Sequence, residues 1–181
     1  MGVTNEMSLF ISTLLNLPPI WRTRRNHGLE HATLHILTSR FPSHRFAGHS
    51  DKKGFWIVGD VSTEDVRLAV DEAYTRLTTG DHHLALHPNC GTNFVAAGIL
   101  ASLGSTIALA GSGNRFRDKL GRLPLVVSIA TLAFIFSRPL GLALQEYITT
   151  SASPGPLVKI EVSPSQRGRL QLHRVAITDS V

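Results

Sequence analysis

Two long uncharged runs constrain this chain more than any other feature. Residues 93–111, NFVAAGILASLGSTIALAG, and residues 123–137, LPLVVSIATLAFIFS, carry no charged side chain. A helix needs about 20 predominantly apolar residues to cross the hydrocarbon of a bilayer. Each run approaches that length, and PLGLALQEY completes the second after an interruption expected at Arg138-Pro139. With 181 residues in all, too little chain is left to wrap two such helices on every side, as a soluble core would require. The connection SGNRFRDKLGR holds four cations and one acid, so the pair reads as a helical hairpin with a hydrophilic turn. Small residues on the first run, Gly98, Ala101, Ser102 and Ser105, allow close helix packing.

The flanking sequence alternates between helical and strand patterns. Residues 7–17, MSLFISTLLNL, are too short to span and are stopped by Pro18-Pro19. Followed by Trp21 and Arg22, Arg24 and Arg25, they read as an interfacial helix at headgroup level. Because those cations follow the apolar stretch rather than precede it, a cleaved signal peptide is not expected. Asn26 as N-cap and Pro42 beyond the end bracket a helix over 26–40. HRFAGHS, DKKG and GFWIVGD form a β-hairpin. Ser62 with Asp65 opens a second helix, ended by Gly80, whose apolar stripe is Val66, Ala69, Val70, Ala73 and Leu77. TSASPGP is a linker, and LVKIEV and RLQLHRVAIT around a turn built from SPSQRG make a second hairpin.

Two spans return the chain to its starting side, so the tail hairpin can join the first in one sheet. The expected fold class is α+β: a small α+β domain with an inserted two-helix transmembrane hairpin and an N-terminal interfacial helix. Its parts are the interfacial helix (1–21), a polar domain (22–92), the transmembrane hairpin (93–146) and a C-terminal β-hairpin that completes the sheet (147–181).

Lys and Arg outnumber Asp and Glu by 18 to 13, yet the cations are scattered, and only two Trp and two Tyr are available to stack on bases. That pattern suits lipid headgroups better than a nucleic-acid groove. Membrane lipid and other membrane proteins are the expected partners, and nucleic acid is not. The positive-inside rule gives opposite answers for the cationic turn and for Arg22, Arg24 and Arg25. The lone thiol, Cys90, excludes an internal disulfide and fits a reducing compartment, which inclines the domain to the cytoplasmic face of the cell membrane.

The chemistry is concentrated in two short motifs. In HGLEH (27–31) two imidazoles four residues apart share a helix face at a spacing that one divalent ion can bridge, with Glu30 beside them. This is the arrangement of inverted zinc peptidases, in which the carboxylate is the general base. HPNCGT (87–92) supplies an imidazole and a thiol three apart on a Pro/Gly loop immediately before the first span. His27, His31, His87 and Cys90 together are a normal composition for tetrahedral zinc. His35 continues the same helix face as a supporting or solvated residue. No phosphate loop or nucleophile elbow is present.

Taken together, HGLEH, the acidic segment VSTEDVR and HPNCGTNF leading into an apolar span resemble the bacterial membrane proteins of the YqhQ-like kind. Those carry His-Gly-Ala-Glu-His and His-Pro-Arg-Cys-Gly-Thr in the same order, and the similarity covers residues 26–100. The chain departs from them at Ala32, where Lys commonly follows the second histidine, and at Asn89, which replaces Arg. The resemblance implies a membrane protein with a shared polar site and supplies no reaction.

Two functions stay open on these residues. In a zinc-dependent hydrolase or peptidase, Glu30 activates water on a metal with an exchangeable position. In a structural-zinc scaffold or accessory subunit of a membrane complex, all four side chains close the shell and Glu30 orients a histidine. A metal-free packing cluster is the third reading.

Overall fold

The computed structural model describes residues 3–113, 115–168 and 170–179. The structure is mixed α+β, and its chain divides into two compact units, Met1–His87 with Glu146–Val181 and Pro88–Gln145.

In the first unit, helix α1 (Val3–Leu15) is followed by α2 (Pro18–Arg40), with Pro18 and Pro19 at the first positions of α2. Proline is tolerated there because the first N–H groups of a helix have no intrahelical partner. This helix therefore starts eight residues before the expected 26–40 segment, and Asn26 is not its cap. Asn26 is buried in mid-helix, where its Oδ1 accepts from Nε and Nη2 of Arg25 at 3.1 and 3.0 Å, and its Nδ2 donates to the Asp51 carbonyl at 2.8 Å. With its side chain committed to those partners, Asn26 does not compete with the backbone, and the helix runs through it.

Strands β1 (Ala47–Asp51), β2 (Gly54–Val58), β3 (Leu157–Arg167) and β4 (Leu170–Asp179) form one antiparallel sheet in the order β1-β2-β4-β3. The tail hairpin thus joins the first hairpin, with Phe55 opposite Val175 on the β2–β4 seam. Its turn is tighter than the sequence suggested. SPSQR belongs to β3, and the chain reverses at Gly168 (φ 63°), with Arg167 opposite Leu170; Arg169 lies outside the described residues. Pro164 is accommodated because β3 is an edge strand, where a missing N–H costs no ladder bond.

Helix α3 (Thr63–Thr78) begins at Ser62, whose Oγ accepts from the Asp65 amide at 3.0 Å. Its five predicted stripe residues are all buried. They pack with Leu29 and Leu37 of α2 and with Phe55, Ile57 and Val175 of the sheet. Each buried Val, Leu, Ile or Phe side chain among them contributes about 1.5–3 kcal/mol on burial. A 3₁₀ turn at His82–Ala85 then leads the chain back along α2.

The second unit is the hairpin of α4 (Gly91–Leu109) and α6 (Leu123–Leu144), with the short α5 (Phe116–Leu120) in the connection. Cys90 is the N-cap of α4, its Sγ accepting from the Thr92 amide at 3.4 Å. The expected break at Arg138-Pro139 does not occur, and α6 continues through Pro139 to Leu144. A proline inside a helix removes one backbone hydrogen bond, here that to the Ile135 carbonyl, without ending this one; the Ser137 hydroxyl donates to the neighbouring Phe134 carbonyl at 2.8 Å. A π-turn, Gln145–Thr149, follows.

Both helices are long and apolar enough to cross a membrane, and only 17% of the Gly91–Leu109 span and 11% of the Leu123–Thr149 span is buried. A core helix of a soluble protein would be mostly covered. Here Phe94, Ile99 and Ile107 on α4, and Val127, Phe134 and Phe136 on α6, are exposed.

Candidate metal centre

The histidines of α2 stand one turn apart on one face, and the structure fixes each by a different backbone carbonyl. His27 Nδ1 lies 2.9 Å from the Thr149 carbonyl, His31 Nδ1 lies 2.7 Å from the Ala85 carbonyl, and His35 Nε2 lies 2.8 Å from the Leu86 carbonyl. A carbonyl oxygen can only accept, so the ring nitrogen facing it carries the proton. His27 and His31 consequently donate from Nδ1 and hold the lone pair on Nε2. Metal-bound histidines are oriented in this way by a carbonyl or carboxylate on the far nitrogen.

The two rings make an edge contact with centroids 4.3 Å apart, and their candidate ligand nitrogens lie within 4.8 Å of each other. His31 is 2% exposed. Burial, reinforced by neighbouring His27, pushes its pKa down from 6.5 to about 3. The ring is therefore neutral at physiological pH, the form a metal ion requires.

His87 comes to the same face from the loop after the 3₁₀ turn. Its ring lies 5.5 Å from that of His31 and 4.8 Å from that of His35. Burial, with a further contribution from His35, lowers its pKa to about 4. Cys90 lies three residues further on, at the cap of α4.

Glu30 turns away from this row of rings toward the sheet. It is 4% exposed, accepts the Ser50 hydroxyl at Oε2, and lies over Gly48 of β1, where a β-carbon would overlap the carboxylate. Burial raises its pKa, opposed by the Ser50 hydrogen bond and by nearby His27. Gly28 has a packing reason of its own: a β-carbon there would overlap the Ser151 carbonyl. The HGLEH motif is thus held on three sides, by 149–151, by 85–86 and by β1.

The site includes residues beyond the expected ligand set. His35 is anchored to Leu86 and in ring contact with His87, which the repeated spacing of four from His27 hinted at. Ser50 and Gly48 had no sequence signal, because only the fold brings β1 against α2. His173 of β4 is 3% exposed and donates from Nε2 to the Val61 carbonyl at 3.1 Å.

A family model described as a domain of unknown function, DUF6391, matches residues 22–161. The chain belongs to the DUF6391 family. The DUF6391 match covers α2 from Arg22 onward, both hairpin helices and the beginning of β3, so every residue of the candidate centre falls inside it. An uncharacterized protein of Picosynechococcus sp. (strain ATCC 27264 / PCC 7002 / PR-6) is 36% identical over 139 residues. That alignment takes in 71% of this chain, which spans 65% of the length of the relative it matches. No solved structure matches the chain.

Proposed function

We propose that this DUF6391 protein is a membrane-embedded metalloprotein that inserts α4 and α6 in a bilayer and holds one transition-metal ion, zinc by ligand chemistry, on His27 and His31 with Cys90 as a third ligand. The observation that carries the metal is the pair of Nδ1-to-carbonyl bonds, His27 to Thr149 and His31 to Ala85. They orient two neighbouring Nε2 lone pairs that neutral imidazoles alone would have no reason to share. Cys90 is included for its chemistry and its tether: three residues of chain keep its Cα within about 11 Å of that of His87. Two imidazoles and a thiolate are a ligand set for zinc with one position open.

The exposed apolar surface of both helices supports insertion. In this reading the polar unit faces the cytoplasm of the cell, membrane lipid and neighbouring membrane proteins are its partners, and α1 lies at the interface. The likeness to YqhQ-like proteins belongs to the same reading. A reporter fused at residue 117 tests the orientation: the connection should be found on the far side from the termini.

The deciding experiment is metal content and cobalt substitution in protein purified in lipid nanodiscs. Wild type is expected to carry one ion per chain, and its cobalt form to show tetrahedral and thiolate charge-transfer bands. His31→Gln should lose the ion, and Cys90→Ser should lose the charge-transfer band. Negligible metal in wild type overturns the reading.

One observation favours hydrolysis as a second reading. Glu30 is buried beside His27 with a raised pKa, as a general base on a metal-bound water would be. Its engagement with Ser50 and Gly48 fits a positioning role better. A Glu30→Gln protein that keeps its metal but abolishes a cellular phenotype would support hydrolysis, and full retention of that phenotype would reject it.

A further inference from the structure

The packing of α4 on α6 sets a depth scale for the hairpin. A β-carbon on Gly141 would overlap Asn93, and one on Gly104 would overlap Ile129, so the members of each pair lie level across the two helices. At the Asn93 end the Gln145 side-chain amide also donates to Asn93 Oδ1, at 2.8 Å. At the other end the first charged residue of the second helix is its cap, Arg122. From Arg122 to the Gly141 level α6 climbs about 19 residues, roughly 28 Å of rise, close to the thickness of about 30 Å that bilayer hydrocarbon has. In the membrane reading, Arg122 marks one boundary and the Asn93–Gly141 level the other.

One charge falls between those boundaries. Arg138 lies a turn short of Gly141, about 4.5 Å inside the boundary, and it is exposed. Neither α4 nor α6 contains an acid, and among the described residues no carboxylate pairs with Arg138. The next acid along the chain is Glu146, roughly 12 Å further up the helix and past the boundary. A cation at the edge of hydrocarbon is tolerated where it reaches water or meets an opposite charge. Its own reach is poor here. The Cα–Cβ bonds of a helix tilt toward the N-terminus, which for α6 is the Arg122 boundary, so the Arg138 side chain sets out toward the bilayer centre and must turn back. The guanidinium therefore ends near the boundary rather than beyond it, and an anion has to come to it. On the same face, one turn toward the centre, Phe134 and Ile135 are 58% and 63% exposed, an apolar surface next to the charge.

We propose that Arg138 binds the phosphate of an anionic phospholipid whose acyl chains lie along Phe134 and Ile135. The inference rests on the membrane reading above and adds a bound lipid to it. A guanidinium meets two phosphate oxygens through parallel N–H donors, and at the edge of the hydrocarbon that pair is screened far less than in water. A zwitterionic lipid carries an ammonium that competes for its own phosphate, so a net negative headgroup is selected. Free inorganic phosphate offers the same anion but nothing to cover the apolar surface.

The test uses full-length protein reconstituted in vesicles of equal phosphatidylcholine and phosphatidylglycerol, then released for native mass spectrometry. Wild type is expected to retain phosphatidylglycerol over phosphatidylcholine by about fivefold. Arg138→Leu should lose that preference while keeping its helix content, and Arg117→Gln, in the hydrophilic connection, should keep it. Inorganic phosphate added on release should displace none of the retained lipid. Equal retention of the two lipids by wild type overturns the proposal, whether or not the variants fold. A preference that survives in Arg138→Leu overturns it too, as does one that Arg117→Gln removes or that inorganic phosphate competes away. Wild type washed from the vesicles by alkaline carbonate is instead the failure of the membrane reading, and that is read before any lipid is counted.

Discussion

The Glu30 carboxylate lies directly over the backbone of Gly48, with the Ser50 hydroxyl donating to its other oxygen. Gly48 and Ser50 are alternate residues of β1 and so face the same side of the strand. The acid of the HGLEH motif is thus seated on the sheet while His31 is bonded to the Ala85 carbonyl and His27 to that of Thr149.

That seating predicts the effect of filling it. Gly48→Ala places a methyl group where the carboxylate sits, and overpacking of a tight site costs about 1–3 kcal/mol. The expected result is a lower melting temperature for Gly48→Ala, measured by circular dichroism in nanodiscs. Combining it with Glu30→Ala should recover part of the loss, because the obstructed group is then absent. Equal melting temperatures for Gly48→Ala and wild type would contradict the contact.

Gly28 gives a second, independent check. In an exposed helix interior, alanine is better than glycine by about 1 kcal/mol. Here the Ser151 carbonyl occupies the space a β-carbon needs. Gly28→Ala is therefore expected to destabilise by about 1–3 kcal/mol despite its propensity gain. Hydrogen exchange should localise the damage to residues 149–152. A stabilised variant would show that the approach of 151 to α2 is looser than described.

The pH dependence follows from the buried imidazoles. In the unfolded chain a histidine takes up a proton near 6.5, but folded His31 resists until about 3 and folded His87 until about 4. The unfolded state binds more protons throughout that interval, so stability held above pH 6.5 is lost progressively as pH falls toward 4 and below. Glu30, with its pKa raised by burial, acts in the opposite sense: its contribution is present below about 4.5 and is lost as pH rises through the folded value. Chemical denaturation of chelator-treated protein should show a decline on the order of 3 kcal/mol between pH 6.5 and 4. His31→Gln should flatten it. A flat wild-type profile would mean that His31 is hydrated.

How much of this was legible beforehand differs by element. The two long apolar helices were visible because each is a long uncharged run, and α3 was visible because Ser62, Asp65 and a regular stripe agree. Asn26 misled because N-cap preference is a local rule, and a tertiary partner, the Asp51 carbonyl, overrode it. Pro139 misled because one missing amide interrupts the hydrogen-bond ladder of a long apolar helix without ending it. At the candidate site, the i,i+4 histidines followed from helix geometry alone. The carbonyls of Ala85, Leu86 and Thr149, and the Gly48–Ser50 seat, could not, because backbone acceptors leave no trace in side-chain identity.

Arg24 connects α2 to the segment that carries the acceptor of His27. Its Nη2 donates to the Tyr147 carbonyl at 3.2 Å and to the Thr150 carbonyl at 3.1 Å, bracketing the Thr149 carbonyl that holds His27. The Ser151 amide donates back to the Arg24 carbonyl at 3.0 Å. A planar guanidinium suits two acceptors at fixed separation, whereas a lysine ammonium on a flexible stem is a single point charge. Arg24→Lys should therefore keep the charge yet loosen 147–150 by about 1–2 kcal/mol, read as roughly tenfold faster amide exchange at residues 148–151. Because the orienting acceptor of His27 lies in that segment, zinc affinity should fall in the same variant by about tenfold or more, the usual effect of losing such support. Faster exchange with unchanged affinity would show that the Thr149 carbonyl does not set the His27 ring for metal. Unchanged exchange would show that Arg24 does not hold the segment at all.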